Sequence, residues 1–511
     1  MIANYIKKHF RIITVLLFLF AGKSMLLGTG HLDDTDENPF ILLLDNFDQL
    51  LAGNLDAWNY QVLVLWSTYP ETAIRLFEAF FLKIYASYLH LPPTHIESLK
   101  LMGLFNVFVS LAQVIVFYLI LIRLKFDKNT ALAGILIYSA FLNTNLYIKH
   151  ILPYDMSLLL YLISLYIILS EKLSLKKLFI VGVLSSIGFY CYFGNFMFSA
   201  ILFIVLVFKQ FSQPKSLAKH TVIFLTPYLL FLLSLELISR QSGKSYIMHT
   251  LVFSGTIYHG SPEESLIYLF NYFFVVEKFW GILMIVSLTI SFFLVLKIKI
   301  IEQVKIVVSA GAIAYMVYAI YATATGGMVF YGRVIHMYIP FVVIFILYFL
   351  QIFNYVVISL SLIAAVNFLL VIKELNSLGY PRSIVYQKNL FDSGENISFY
   401  SELRCGITYD YRHPYFFDAG IEHSWPDIYM EVAQKKKFEV PHQLINFCFF
   451  FHYPDDFIDK YQKFSPPVGY QKIYEKKHFM SHPAYTFEYC TKIGRKFFIE
   501  KDLKIQIFRA N

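Results

Sequence analysis

The chain is built from long apolar runs separated by polar interruptions. Runs long enough to cross a bilayer, or nearly so, lie at 11–29, 99–122, 130–147, 153–170, 178–191, 194–208, 220–238, 279–296, 305–322, 334–350 and 355–372. A bilayer core about 30 Å thick needs about 20 helical residues, so these runs predict about eleven transmembrane helices. Those at 178–191 and 194–208 are short and read as a pair meeting around Tyr192, Gly194 and Asn195 without fully emerging.

Two intervals are long, 30–98 and 239–278. In the first, Phe40, Leu43, Leu44, Phe47, Leu50 and Leu51 fall on one helical face and Gly53-Asn54 supplies a stop, which suits a helix lying on the membrane surface. A second such helix is expected where Thr68-x-x-Glu71 has capping-box spacing and Ile74, Phe77, Phe80, Phe81, Ile84 and Tyr88 follow at helical intervals. Thr94-x-x-Glu97 caps the next span. Beyond residue 373 the period shortens, with alternating runs such as INFCFFFH (445–452), KFFIE and LKIQIF. The expected fold is an all-α polytopic membrane bundle over 1–372, followed by a small extracytoplasmic α/β domain over 373–511.

Composition agrees. Of 511 residues, 57% are hydrophobic and only 15% charged, too few charges for a soluble chain of this length. The net charge of +8 is informative once its bases are placed. With a cytoplasmic N-terminus, Lys7, Lys8 and Arg11, then Arg123, Lys125 and Lys128, Lys172, Lys176 and Lys177, Lys209, Lys215 and Lys219, and Lys297, Lys299 and Lys305 all fall on the cytoplasmic side. The opposite loops, longer in total, hold Arg75, Lys83, Lys100, Lys149, Arg240, Lys244, Lys278 and Arg333. This asymmetry puts the tail outside, and bases sorted by membrane side argue against a nucleic-acid partner. Cys191, Cys405, Cys448 and Cys490 show no C-x-x-C spacing, so no zinc or dithiol motif is expected, although one disulfide in the tail would suit an oxidising compartment. No small-x-small cleavage site follows the first apolar run, which therefore reads as a retained helix. The string AGKS at 21–24 ends like a phosphate loop, but Leu17 stands where the first glycine belongs and no strand precedes it.

Three stretches carry candidate chemistry. HLDDTDENPF sets Asp33, Asp34, Asp36 and Glu37 just beyond the first span. Carboxylates there can deprotonate an incoming hydroxyl or ligate a divalent cation; the plainer reading is a solvated acidic loop. In NTNLYIKHILPYDMSLLLYL, Asp155 opens the fourth run beside Lys149, His150 and Tyr154. An acid at a membrane boundary is a functional candidate, and a helix cap past Pro153 is the competing role. In GGMVFYGRVIHMYIP, Arg333 suits a phosphate and His336 lies one turn further on the same face, against an alternative role for Arg333 as an interfacial anchor. Glu236, His249 and His259 are weaker versions of the same case.

Taken together, these residues resemble the GT-C superfamily of polyprenyl-phosphate-sugar-dependent glycosyltransferases, in particular its bacterial protein-mannosyltransferase and aminoarabinose-transferase-like members. The resemblance rests on Asp34-Thr35-Asp36-Glu37 as the acidic motif after the first span, on Asp155 within PYDMSLLLYLISLYIIL, and on GR-x-x-H-x-Y-x-P at 332–340. It covers residues 1 to about 372, and TYPE at 68–71 departs from the His-Pro or Pro-Pro turn of many bacterial members. It implies a polyprenyl-phosphate-linked sugar donor, an extracytoplasmic glycan, lipid or protein acceptor, and a bacterial inner-membrane location among membrane lipids. Asp34, Asp36, Glu37 and Asp155 would then be catalytic, Lys149, His150, Arg333 and His336 substrate-binding, and a divalent cation (Mg or Mn), if the reaction uses one, would sit on Asp36 and Glu37. A secondary transporter or lipid flippase, with Asp155, Glu236 and Arg333 along its path, is the rival reading, but no paired halves are visible. A non-catalytic membrane scaffold is the third.

Overall fold

The computed structural model of the protein describes chiefly residues 2–27, 38–54, 75–90, 96–150, 152–211, 214–240, 268–294, 302–325, 332–350 and 354–377, with short pieces at 57, 245–248, 250–251, 398–400, 408–410, 447–452, 469–478 and 503–510. The helices are α1 (Ile2–Ser24), α2 (Asn38–Leu51), α3 (Leu76–Tyr88), α4 (Ile96–Arg123), α5 (Lys128–Ala140), α6 (Asn143–Leu146), α7 (Tyr154–Ile168) and α8 (Leu175–Cys191). They continue with α9 (Phe196–Gln210), α10 (Pro214–Arg240), α11 (Tyr268–Val275), α12 (Phe279–Leu294), α13 (Glu302–Thr325), α14 (Gly332–His336), α15 (Ile339–Leu350) and α16 (Asn354–Ser377).

A helix occupies every apolar run expected from the sequence, and among the described residues five are long and apolar enough to cross a membrane by themselves: Lys100–Arg123, Phe193–Gln210, Lys215–Arg240, Glu302–Tyr321 and Tyr355–Asn376. Large apolar side chains such as Leu229, Leu233 and Leu237 on α10 and Ile358, Leu362 and Val366 on α16 are exposed, as lipid-facing residues must be. The protein is a multi-pass membrane protein. Its main core runs through α4, α5, α7, α9 and α15, where Phe117, Tyr138, Leu158, Tyr161, Phe198, Ile201 and Ile344 are enclosed.

Loop bases gather at one end of the bundle. Arg11 reaches Asn129 Oδ1 at 2.9 Å, the Arg123 guanidinium donates to the Tyr166 carbonyl, and Lys209 Nζ donates to the carbonyls of Ile168 (2.9 Å) and Ser170 (2.7 Å) at the end of α7. At the same end Asp127 caps α5 by accepting from the backbone N–H groups of Asn129 and Thr130, satisfying donors that a helix start leaves unpaired.

Two expectations change. The run at 130–147 is not one helix: α5 stops at Ala140, and the short α6 and a 3-10 turn over Tyr147–Lys149 follow. The Thr144 hydroxyl donates to the carbonyls of Tyr138 and Phe141, both at 2.9 Å, and Asn145 Nδ2 donates to those of Ser139 and Phe141, both at 2.8 Å. Side chains that satisfy terminal carbonyls make a break inside the bundle tolerable. In the first large loop, α2 buries Phe40, Leu43, Leu44, Phe47 and Leu50 as expected, but Leu51 is 64% exposed. On α3 the aromatic stripe Phe77, Phe80, Phe81, Ile84 and Tyr88 faces outward, while Glu78, Ala79, Leu82 and Ala86 are buried. The small side chains pack on α2, Arg75 pairs with Glu78 at 2.8 Å, and the guanidinium lies 4.3 Å from the centre of the Phe40 ring. The period is legible in sequence, but the side that faces inward is not, because lipid reverses the usual preference. Thr68, Glu71, Ile74 and Thr94 lie outside the described residues.

In the tail, β1 (Ser398–Tyr400) pairs antiparallel with β2 (Thr408–Asp410). The strands β3 (Phe447–His452), β4 (Tyr470–His478) and β5 (Leu503–Ala510) form an antiparallel sheet of order β3-β5-β4. INFCFFFH and LKIQIF thus supply strands. KFFIE, and any helix of the expected α/β domain, lie outside the described residues.

Helices α8 and α10 approach closely because Gly182 has no side chain: a Cβ there would meet the Phe224 carbonyl oxygen at 2.6 Å. Gly182→Val should therefore destabilise the protein by about 1–3 kcal/mol, read as a lower midpoint of thermal unfolding in detergent. An unchanged midpoint would show that this contact does not hold the bundle.

Candidate functional site

The broken helix between α5 and α7 is the foundation of the site. Asn143, Thr144 and Asn145 are all buried there, so each polar group needs a partner within the protein. Glu277, between α11 and α12, accepts the backbone N–H of Leu142 at 2.8 Å and of Asn143 at 2.9 Å. Trp280 Nε1 at 3.3 Å and Asn367 Nδ2 at 2.9 Å both donate to the Ala140 carbonyl. From the end of α1, Lys23 is only 1% exposed and donates to Asn145 Oδ1 at 2.6 Å. Gly22 beside it lets α1 lie against Phe368, since a Cβ there would sit 2.4 Å from that ring.

Asn143 turns this foundation toward the candidate residues. Its Nδ2 donates to the Gly332 carbonyl at 2.9 Å and to the Tyr272 hydroxyl, and its Oδ1 meets His336 Nδ1 at 2.7 Å. An amide oxygen only accepts, so Nδ1 of His336 carries a proton. The other ring nitrogen, Nε2, faces Asp155 Oδ1 at 3.1 Å.

Asp155 is 2% exposed in the first turn of α7. Gln113 Nε2 donates both to its carbonyl (2.6 Å) and to its Oδ1 (3.1 Å), and Gln113 is itself fixed by the Tyr138 hydroxyl at 2.9 Å. The competing role of a helix cap is not what the carboxylate does, because its described partners lie on α4 and α14.

Arg333 and His336 leave the same short helix, and Tyr154 and Asp155 are adjacent at the start of α7. Arg333 Nη1 donates to the Tyr154 hydroxyl at 2.7 Å and His336 meets Asp155, so α14 is clamped twice to the start of α7. Arg333 is half-buried, whereas His336 is fully enclosed. The Tyr147 ring stands edge-on to Tyr154 and to His336, with centroids 5.0 and 5.3 Å apart, and Tyr192 lies 4.2 Å from Tyr154. His150 is buried, and its carbonyl accepts from Asn106 Nδ2 at 2.6 Å.

Asp155, Arg333 and His336 thus meet, and His150 lies in the segment leading to them. Asp34, Asp36 and Glu37 lie outside the described residues, as does the side chain of Lys149. No group of three or more His, Cys, Asp or Glu suited to a metal occurs among the described residues, and the expected ligands Asp36 and Glu37 are not among these. Glu236 is elsewhere, paired with Arg240 at 2.6 Å and accepting from Ser245 and from the Ile247 N–H. Sequence reasoning missed Lys23, Gln113, Asn143, Asn145 and Glu277. Their signals were the paired asparagines of NTN inside an apolar run and single ionisable groups at span ends.

Removing the Glu277 carboxylate strands two buried N–H donors. Glu277→Ala should cost about 2 kcal/mol or more of stability, with Glu277→Gln milder because its amide oxygen still accepts. Thermal unfolding of the purified variants measures this, and a wild-type midpoint for Glu277→Ala would refute the foundation described above.

No family profile matches the chain, and no curated protein matches it. Among solved structures it is similar to the crystal structure of ArnT from Cupriavidus metallidurans bound to undecaprenyl phosphate, with a TM-score of 0.52 over 88% of this chain and 93% of that one. Identity is 10%, so the likeness concerns the fold alone.

Proposed function

We propose that the protein is a membrane glycosyltransferase that moves a sugar from a polyprenyl-phosphate carrier to a hydroxyl of an extracytoplasmic glycan, lipid or protein. The observation that carries this reading is the meeting of Arg333 with Tyr154 and of His336 with Asp155, across 179 and 181 residues of sequence. The fold shared with a protein crystallised with undecaprenyl phosphate supports the choice of carrier.

In this reading the acceptor O–H gives its proton to Asp36, with Asp34 or Glu37 as alternative bases. The acceptor oxygen attacks the anomeric carbon, and the bond from that carbon to the phosphate oxygen breaks. Its electron pair leaves with polyprenyl phosphate, which gains a negative charge as it changes from diester to monoester. Arg333 stabilises that charge, an effect strongest where water is excluded. Direct displacement inverts the anomeric centre. Were Asp36 and Glu37 instead to hold a divalent cation, that ion would supply further positive charge and Asp34 would be the base. Asp155, enclosed as it is, acts by positioning: with His336 it fixes α14 against α7 and so fixes Arg333. Lys149 and His150 precede this clamp and are assigned to the substrate side. The carrier bond provides the driving energy, so no nucleotide is needed. The acidic loop lies outside the bilayer with the tail, which forms a separate domain over 373–511 and takes part in choosing the acceptor.

Undecaprenyl phosphate is a direct probe of the phosphate role. Arg333→Ala should weaken its binding to the purified protein by about tenfold or more, the worth of a charge-assisted hydrogen bond, while Asp36→Asn binds normally but releases no carrier phosphate from sugar-charged lipid in membranes. Undiminished binding by the arginine variant removes its assigned role, and full turnover by the aspartate variant removes the base. Transport of intact lipid without transfer would favour the flippase reading.

A further inference from the structure

At the far end of α7 from Asp155, about 20 Å away by helical rise, lies a second polar feature that the reaction does not use. A recess of about 390 Å³ is lined by Arg123, Lys125, Ser170, Glu171, Lys172 and Lys177, with Leu169 and Gln303 completing its wall. The ends of α4 and α7, the start of α8 and the start of α13 build it. Four cations face one carboxylate. The nearest ion pair, Lys125 with Glu171, is loose at 3.6 Å, and both side chains are mostly solvent-accessible.

Two features mark the recess as more than a row of loop lysines. The Arg123 guanidinium is pinned 3.7 Å above the Tyr166 ring while donating to the Tyr166 carbonyl, and it carries further N–H donors. Lys125 ends α4 at φ 70°, a left-handed position, with the N–H of Phe126 returning to the Leu121 carbonyl at 3.1 Å. Such positions normally take glycine, so a lysine here accepts backbone strain of about 1 kcal/mol or more while placing its ammonium at the recess. Of the carbonyls at the end of α7, that of Tyr166 takes Arg123 while those of Ile168 and Ser170 are covered by Lys209, and just beyond them Lys177 Nζ donates to the Lys172 carbonyl at 3.1 Å.

We propose that this recess binds the phosphate head group of an anionic membrane lipid. It lies where spanning helices end, with Leu169 on its wall, so a phosphate at the bilayer surface reaches it without leaving the membrane. Basic pockets between spanning helices on the cytoplasmic side hold such head groups, and each nearby lysine contributes about fivefold in affinity.

Native mass spectrometry of the full chain with phosphatidylglycerol, and with phosphatidylcholine as the neutral control, tests the proposal. The variants are Lys125→Gly, which suits the left-handed backbone, and Lys172→Gln at an exposed site. The wild type should retain phosphatidylglycerol over phosphatidylcholine, each variant should lose about fivefold in that preference, and binding of undecaprenyl phosphate at the opposite end should be unchanged. Equal retention of the two lipids, or an undiminished preference in the double variant, overturns the site. Displacement of phosphatidylglycerol by millimolar glycerol 3-phosphate overturns the lipid assignment and names a soluble phosphate ester as the occupant.

Discussion

The arrangement at the candidate site depends on a backbone break held inside the bundle at residues 141–150. Nothing in hydrocarbon can satisfy an open turn, so each exposed peptide group there must be answered by the protein itself. Thr144 and Asn145 answer the carbonyls of their own helix end, and Glu277 answers the N–H groups of Leu142 and Asn143. Lys23 then secures Asn145 from a third direction. An apolar replacement for such a buried polar network is often neutral or more stable by about 1–4 kcal/mol, so stability alone does not account for its presence. What the network supplies is a fixed position for Asn143, from which His336 and then Asp155 take theirs.

Much of the fold could be read from the chain because lipid enforces a simple rule of length and apolarity. The apolar runs carry helices, α2 and α3 occur in the first loop, and INFCFFFH and LKIQIF supply strands where the pattern puts them. The break at Ala140 was hidden because its polar residues sit among apolar ones, and a hydropathy window averages them away. The direction of the α3 stripe was hidden for another reason: Phe77, Phe80, Phe81, Ile84 and Tyr88 define a face, but only packing by Ala79, Leu82 and Ala86 shows that it points outward.

The site was legible in part. Asp155, Arg333 and His336 stood out because ionisable groups at span ends are costly, and spacing already put Arg333 and His336 on one face. Lys23 and Glu277 obey the same rule but are isolated in sequence, where each reads equally well as an interfacial anchor. Their roles come from partners 122 and 135 residues away, a relation that no local pattern contains. The acidic motif remains a sequence argument.

Helix α7 joins the two ends of the molecule, and its polarity suits the charges at each. Its start, the positive end of the helix dipole, carries Asp155, while its end, the negative one, is covered by Lys209. A single element therefore favours an acid on the face assigned to sugar transfer and bases on the opposite face. That polarity also explains why the double clamp sits where it does. Tyr154 and Asp155 are in the first turn, where a helix is held least by its own hydrogen bonds, so contacts from α14 have the greatest effect on its geometry. Rigid placement of Arg333 follows from closing that first turn from outside, and the buried break exists to bring the closing residues within reach.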